Sequence, residues 1–442
     1  MKDKILGGIV GLAVGDALGV PVEFRDRRSL KDDPVTDMRG YGTYKQPPGT
    51  WSDDTSMTLC LLDSLANGLD YADIMKKFLS WYRDDAYTAH DKRFDIGGAT
   101  RRALERFEQG IEPLQCGGAS ESDNGNGSLM RILPLAFYLR SLYRDEYTEH
   151  DESFDIIHNV SSLTHAHKRS MIACGIYLAV AERMFDGYHL RDGISSGITR
   201  ALAHYEEDKI FTDESKGHYY RLGCQWKKFT DESGEEYCRV WKRFTDLRER
   251  DIKSSGYVVD TLEAALWCLL KTKSYKDCVL KAVNLGGDTD TVAALAGGLA
   301  GIYYGYDAIP KEWTEKIARF DYIEDLCDKL STRVSAGDSK FSSDDLKIIQ
   351  ERFHELILKR AKPLKHFLAD KNKRLPVISN EIFRRELWYT VPGMYGGFAY
   401  KLTEKEGKPL LTTDSWCRIC GGSGQTHEIT VDGCVLTEEG FV

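Results

Sequence analysis

The 442-residue sequence has no excess of basic residues, no dense cysteine spacing and, over residues 1–335, almost no strand pattern. Sixty Lys and Arg against 69 Asp and Glu give a net charge of -9, which removes overall basicity as a means of holding nucleic acid, although a local basic patch is not excluded. Eleven cysteines scattered from Cys60 to Cys434 do not make the framework of a small secreted domain, so they are expected to be reduced in a cytoplasmic protein. Long apolar runs are also missing. The stretch Ile5 to Val14 follows two lysines but is broken by Asp16, is too short for a membrane span, and leads through Gly-Val-Pro-Val-Glu without a cleavage site, so neither a targeting segment nor a membrane partner is expected. No fixed period of roughly 20 to 50 residues marks a repeat array.

What is present is helical periodicity. Residues 2–18 mix large apolar side chains with Gly and Ala, which suits a buried helix packed closely on its neighbours. Residues 25–50 read as a loop, and a helix opens at Ser52 and stops at Gly68. Further helices are expected over 71–83, 98–109, 130–143, 154–163, 168–186, 191–204, 258–271, 275–283, 291–304 and 310–319. The fold class is thus mainly all-α over residues 1–335. Residues 206–251, which contain Phe-Thr-Asp-Glu-Ser twice, form an insertion or lid, read most simply as a surface excursion. Residues 336–442 gain alternating apolar residues and read as a smaller α+β domain.

Four separated segments carry polar residues that helix packing does not ask for. Asn284 to Thr291, read as Asn-Leu-Gly-Gly-Asp-Thr-Asp-Thr, places Asp288 and Asp290 at a helix entry, where carboxylates are favoured by the positive end of the helix. Residues at i and i+2 of a regular helix point about 200° apart, so the two acids converge only in the turn before the helix or in its first turn. Ser52-Asp53-Asp54-Thr55 repeats this chemistry at another helix start, and Glu23 follows Gly15-Asp-Ala-Leu-Gly19 in a loop. Gly125-Asn-Gly-Ser-Leu-Met-Arg131 has glycines that leave backbone N–H groups able to surround an anion. Each segment alone is also an ordinary cap or turn. Together they describe a hard-cation site beside a phosphate site.

In this combination and order, from Lys2 to Trp313, the sequence resembles the ADP-ribosylglycohydrolase family. The resemblance implies that Ser52, Asp53, Asp54, Asp288, Asp290 and Thr291 bind two divalent ions, Mg²⁺ or Mn²⁺, with Ser52 standing where many members have Thr. It places Glu23 near the scissile ribose and implies that Asn124, Gly125, Asn126, Gly127, Ser128 and Met130 wrap the diphosphate of ADP-ribose. It also sets His165 at the substrate cleft, Tyr257 against the adenine and Asp95 in a further active-site strip.

The implied activity is removal of ADP-ribose from a modified protein side chain, with Glu23, Asp53, Asp54 and Asp290 as catalytic residues and arginine as the expected leaving group. Serine, O-acetyl-ADP-ribose and nucleic-acid bases are the alternative linkages. A non-catalytic binder that blocks an ADP-ribosylating toxin or transferase is the reading of another class. Near the C-terminus, Cys417-Arg-Ile-Cys420 with His427 and Cys434 lacks a second close pair, which leaves zinc weakly signalled and thiols packed in a small sheet the simpler expectation.

Overall fold

The computed structural model describes residues 1–207, 209–230, 236–336, 341–360, 378, 386–390, 396–417 and 426–437. The chain divides into two compact units, Met1–Ser335 and Ala336–Val442. Among the described residues, the regular elements of the first unit are helices and one antiparallel pair of strands. Its helices are α1 (Lys2–Gly19), α2 (Arg27–Asp32), α3 (Asp53–Leu65), α4 (Tyr71–Asp84), α5 (Gly98–Glu108), α6 (Leu133–Tyr143), α7 (Asp151–Ser162), α8 (Lys168–Phe185), α9 (Leu190–Glu207) and α10 (Thr212–His218). Strands β1 (Cys224–Thr230) and β2 (Glu236–Arg243) then pair antiparallel, and α11 (Val258–Leu270), α12 (Tyr275–Val283), α13 (Thr289–Tyr304), α14 (Lys311–Thr314) and α15 (Phe320–Ala336) complete it.

Helices α1 and α13 cross antiparallel at the centre, and small residues set how close they come. A Cβ added at Gly7, Gly11 or Gly15 would lie 2.6, 2.5 or 2.1 Å from the carbonyl oxygen of Gly301, Gly297 or Ala293 respectively. The four-residue step of α1 is thus matched by the four-residue step of α13, ridge against ridge. Apolar side chains cover the rest of both helices: Ile5, Ile9, Leu12, Val292, Leu295 and Leu299 have no exposed surface. This crossing brings the last turn of α1 against the first turn of α13.

The stretch Lys2–Val22 is long and apolar enough, by length and composition, to cross a membrane, whereas the run Ile5 to Val14 marked by the sequence is too short for one; yet 94% of the stretch's apolar 18-residue window is buried in the globule. The interruption at Asp16 is real in sequence, but that carboxylate also lies inside.

Three local expectations change. The loop expected over 25–50 contains α2, capped by Asp26 accepting from Ser29 N and tethered by Arg27, whose guanidinium donates to the carbonyls of Leu285, Glu249 and Ile252. The helix expected over 310–319 is only the single turn α14, and Arg319 takes a left-handed φ of 52° before α15 starts. Helix α15 itself was not anticipated, because its acids mask the spacing of its buried Ile323, Leu326, Cys327 and Leu330. In the 206–251 insertion, α10 and the hairpin are ordered elements; the second Phe-Thr-Asp-Glu-Ser copy falls partly outside the described residues.

The second unit has helix α16 (Ser343–Arg360) and a five-stranded antiparallel meander, β3 (Glu386–Thr390), β4 (Gly396–Lys405), β5 (Lys408–Cys417), β6 (Thr426–Thr430) and β7 (Cys434–Thr437), in sequential order. Ile349 and Phe353 of α16 pack on Tyr400, Leu402, Leu411 and Ile429. His427 and Cys434 lie on β6 and β7, while Cys420 falls outside the described residues.

Candidate active site

The polar site forms where α1, α3 and α13 meet. Ser52 caps α3, its Oγ accepting from Asp54 N at 3.2 Å, so Asp53 and Asp54 occupy the first turn. Asp288 is the residue before α13 and Asp290 lies in that helix's first turn, the arrangement in which acids two residues apart can converge. Gly286 and Gly287, with φ of 74° and 78°, make the entry; a Cβ on Gly287 would stand 2.3 Å from Ser254 O. The same turn fixes Glu23, because Phe24 N donates to Gly287 O and Gly287 N donates to Arg25 O.

Carboxylate oxygens of Glu23, Asp288 and Asp290 lie within 4.8 Å of one another, and so do those of Asp16, Asp54 and Asp290. Asp290 is common to both groups. Thr291 joins the two helix starts by donating from Oγ1 to Asp54 Oδ1 at 3.2 Å. Asp95 and Asp53 extend the acidic cluster: the Asp95 charge raises both Asp53 and Glu23, and the Tyr44 hydroxyl lies beside Glu23 and Asp95. Burial holds Asp53, Asp54 and Asp290 well above the usual range, and the charges acting most strongly on them are other carboxylates. Glu23 is pushed up to about 8, first by burial and then by Asp288. Two oxygens, Asp54 Oδ2 and Glu23 Oε2, are buried with no hydrogen-bond partner among the described residues. A concentration of buried like charge with orphaned acceptors is what a hard cation with oxygen ligands would neutralise, so these residues fit such ions.

Asp16 was not singled out from the sequence as a site residue. Its Oδ1 accepts from Ser52 N, and its Oδ2 accepts from Ser52 N, Thr55 N and Thr55 Oγ1 at 2.6–3.1 Å. With both oxygens engaged, Asp16 anchors the start of α3 and so aims Asp53 and Asp54. The signal for it was its place inside an apolar helix, where an unpaired acid would be costly.

The Asn124–Arg131 segment is a turn, and α6 begins only at Leu133, three residues later than the helix expected from 130. It lies against the start of α11. Asn126 N donates to Gly256 O, Val258 N donates to Asn124 O, and Asn126 Nδ2 donates to Asp288 Oδ2 at 2.7 Å, which ties this turn to the acids. Gly125, Asn126 and Gly127 keep partial exposure, whereas Ser128 and Met130 turn inward; Ser128 Oγ accepts from Ser161 Oγ at 2.9 Å. His165 is buried beside this turn, with its ring 2.7 Å from where a Cβ on Gly127 would be. Tyr257 caps α11 half-buried, with the Arg169 guanidinium 5.8 Å from its ring centre and its hydroxyl 3.2 Å from His218 Nδ1. Arg169 in turn donates to Glu214 and Glu121. The insertion helix α10 therefore contributes Glu214 and His218 to the rim around Tyr257, a contact with no sequence signal.

A family model described as ADP-ribosylglycohydrolase matches residues 1–339. Among relatives, the chain is 34% identical over 331 residues to a protein of Serratia proteamaculans named ADP-ribosylarginine hydrolase Tri1, covering 74% of this chain and 79% of that one. It is 33% identical to the ADP-ribosyl-[dinitrogen reductase] glycohydrolase of Rhodospirillum rubrum, covering 72% and 91%, and 24% identical to mouse ADP-ribosylhydrolase ARH3, covering 74% and 90%. A solved structure described as an ADP-ribosylglycohydrolase-related protein complex is similar with a TM-score of 0.56 and 30% identity, covering 75% of this chain and 98% of that one.

Proposed function

The chain belongs to the ADP-ribosylglycohydrolase family, and from that premise we propose that it is a metal-dependent hydrolase that frees ADP-ribose from the guanidinium of modified arginine side chains. The observation that carries the metal dependence is the pair of carboxylate groups sharing Asp290, with Asp54 Oδ2 and Glu23 Oε2 buried and unpartnered among the described residues. Arginine is favoured as leaving group because relatives named for ADP-ribosylarginine stand at 33–34% identity, against 24% for ARH3.

Ser52, Asp53, Asp54, Asp288, Asp290 and Thr291 would hold two Mg²⁺ or Mn²⁺ ions. Such ions supply Lewis-acid polarisation to oxygens of the ribose and of water. The protein's own groups do the rest. The turn 124–127 receives the diphosphate on backbone N–H groups, and Tyr257 provides an aromatic face for the base. Breaking the bond between the anomeric carbon and the guanidinium nitrogen builds positive charge on the sugar, which the surrounding carboxylates stabilise. Glu23, beside Asp288 and Asp290, gives a proton to the departing nitrogen, and water adds to the anomeric carbon with loss of a proton to a carboxylate. The Tyr44 hydroxyl beside Glu23 helps to keep it in place.

A panel of arginine-, serine- and base-linked ADP-ribose substrates tests the leaving group. Release from arginine at least tenfold faster than from the others is expected; preference for a serine or base linkage overturns the assignment while keeping the hydrolase.

A further inference from the structure

A buried cation lies just beneath the turn expected to take the diphosphate, and among the described residues no carboxylate pairs with it. Arg131 has no exposed surface, and its guanidinium stands 4.7 Å from the centre of the Phe78 ring. It donates to Val160 O at 3.3–3.4 Å and from Nη2 to Thr164 Oγ1 at 2.7 Å, leaving Nε without a partner among the described residues. Burial brings it down only to about 10, so the charge persists at neutral pH.

Thr164 Oγ1, also fully buried, lies 2.8 Å from His165 Nδ1. The direction of that bond follows from counting donors. A guanidinium only donates, so Thr164 Oγ1 is its acceptor, and the hydroxyl hydrogen must go elsewhere. Among the described residues its one acceptor within reach is His165 Nδ1. If Nδ1 carried the ring proton instead, the hydroxyl hydrogen would be buried without a partner, at a cost of about 1–3 kcal/mol. The ring proton therefore sits on Nε2. That atom has no partner among the described residues and faces the turn, 3.7 and 3.2 Å from where a Cβ on Gly125 or Gly127 would stand. Burial first, and then the Arg131 charge, push His165 down to about 3. Asp123 acts the other way, but its carboxylate is paired with Arg102 at 2.7 Å.

We propose that Arg131 and Thr164 form a relay that locks His165 as a neutral Nε2–H donor aimed into the 125–127 turn, where it donates to an anionic oxygen of the ADP-ribose diphosphate. The proposal rests on the reading that this turn receives the diphosphate. Thr164 is a positioning residue: it acts on the ligand through His165. The relay also accounts for a fully buried arginine, whose one side-chain hydrogen-bond acceptor among the described residues is Thr164.

The test joins imidazole nitrogen NMR of the full chain with ADP-ribose binding, the His165 signals being assigned by their loss in His165→Gln. The expected spectrum shows the Nε2–H form of His165 unchanged from pH 5 to 8 in wild type and in Thr164→Ser. Thr164→Val should lose that form, and its dissociation constant for ADP-ribose should rise about tenfold, the worth of one hydrogen bond to a charged acceptor. Titration of wild-type His165 near its ordinary value, an Nδ1–H form in wild type, or an unchanged tautomer and affinity in folded Thr164→Val overturns the relay. Failure of the functional reading looks different: wild type then shows the Nε2–H form yet neither binds ADP-ribose nor cleaves its glycosides, which removes the diphosphate as His165's ligand and leaves the tautomer standing.

Discussion

Gly15→Ala should damage the site without touching any of its polar groups. A Cβ there would lie 2.1 Å from Ala293 O and 2.5 Å from Ala293 C, both backbone atoms of α13. Ordinary contact begins near 3.4 Å, so α1 and α13 must part by the difference, about 1.3 Å, or tilt by an equivalent amount. Overpacking of this kind costs about 1–3 kcal/mol, partly offset by the roughly 1 kcal/mol that Ala gains over Gly in a helix. A net loss of about 1–2 kcal/mol would lower the melting temperature by only a few degrees in a unit of this size. Activity should fall further, since displacement of about 1 Å at a reacting centre costs on the order of a hundredfold. The parting occurs one residue from Asp16, which aims α3, and against the helix that carries Asp290. Gly8→Ala is the control: the atoms nearest its Cβ would be side-chain atoms of Phe137 and Ile302, at 2.9–3.4 Å, rather than backbone. Melting curves and initial rates of ADP-ribose release measured on both variants decide the matter. Wild-type turnover in Gly15→Ala, or equal loss of activity in Gly8→Ala, would refute the view that this helix crossing sets the spacing of the acids.

Three further outcomes are expected. In chelator, stability should fall as pH rises from about 4.5 towards 8, because the folded chain retains a proton on Glu23 that the unfolded chain releases; the slope approaches about 1.4 kcal/mol per pH unit for one group, and millimolar Mg²⁺ should flatten it. A melting temperature that climbs with pH in chelator contradicts this sign. Asp290→Ala and Asp53→Ala should each lower turnover by about a thousandfold or more while circular dichroism stays native, and activity retained by both would remove the acids from the chemistry. Asp290→Asn, which relieves buried like charge, should raise the melting temperature in chelator yet abolish its further rise on adding Mg²⁺; an Mg²⁺ response equal to wild type would contradict a shared role for Asp290.

The parts of this protein that were legible in the sequence are those where backbone and side chain carry the same instruction. Ser52 before two acids reads as a cap and is one, and Gly286-Gly287 before Asp288 reads as a tight entry and is one. The Gly and Ala spacing of residues 2–18 predicted close packing but not its partner, since Gly297 and Gly301 lie nearly 300 residues away and no local pattern encodes the match. Asp16 passed as an interruption of an apolar run because its four hydrogen bonds come from α3. Thr164 and Arg131 gain meaning only once Nδ1 of His165 is seen beside the hydroxyl, and Glu214 and His218 only once α10 folds back on Tyr257. Helix α15 was hidden for the opposite reason: its acids diluted a periodic signal that was present.

The account stands most directly on one rate measurement: release of ADP-ribose from an ADP-ribosyl-arginine peptide by protein stripped of metal, followed as Mg²⁺ is added back. Turnover should be absent in chelator, rise saturably with Mg²⁺, and stay absent in Asp290→Asn at every Mg²⁺ concentration. Undiminished turnover in chelator, or an Asp290→Asn enzyme that Mg²⁺ restores to the wild-type rate, would contradict the claim that these buried carboxylates work by holding cations.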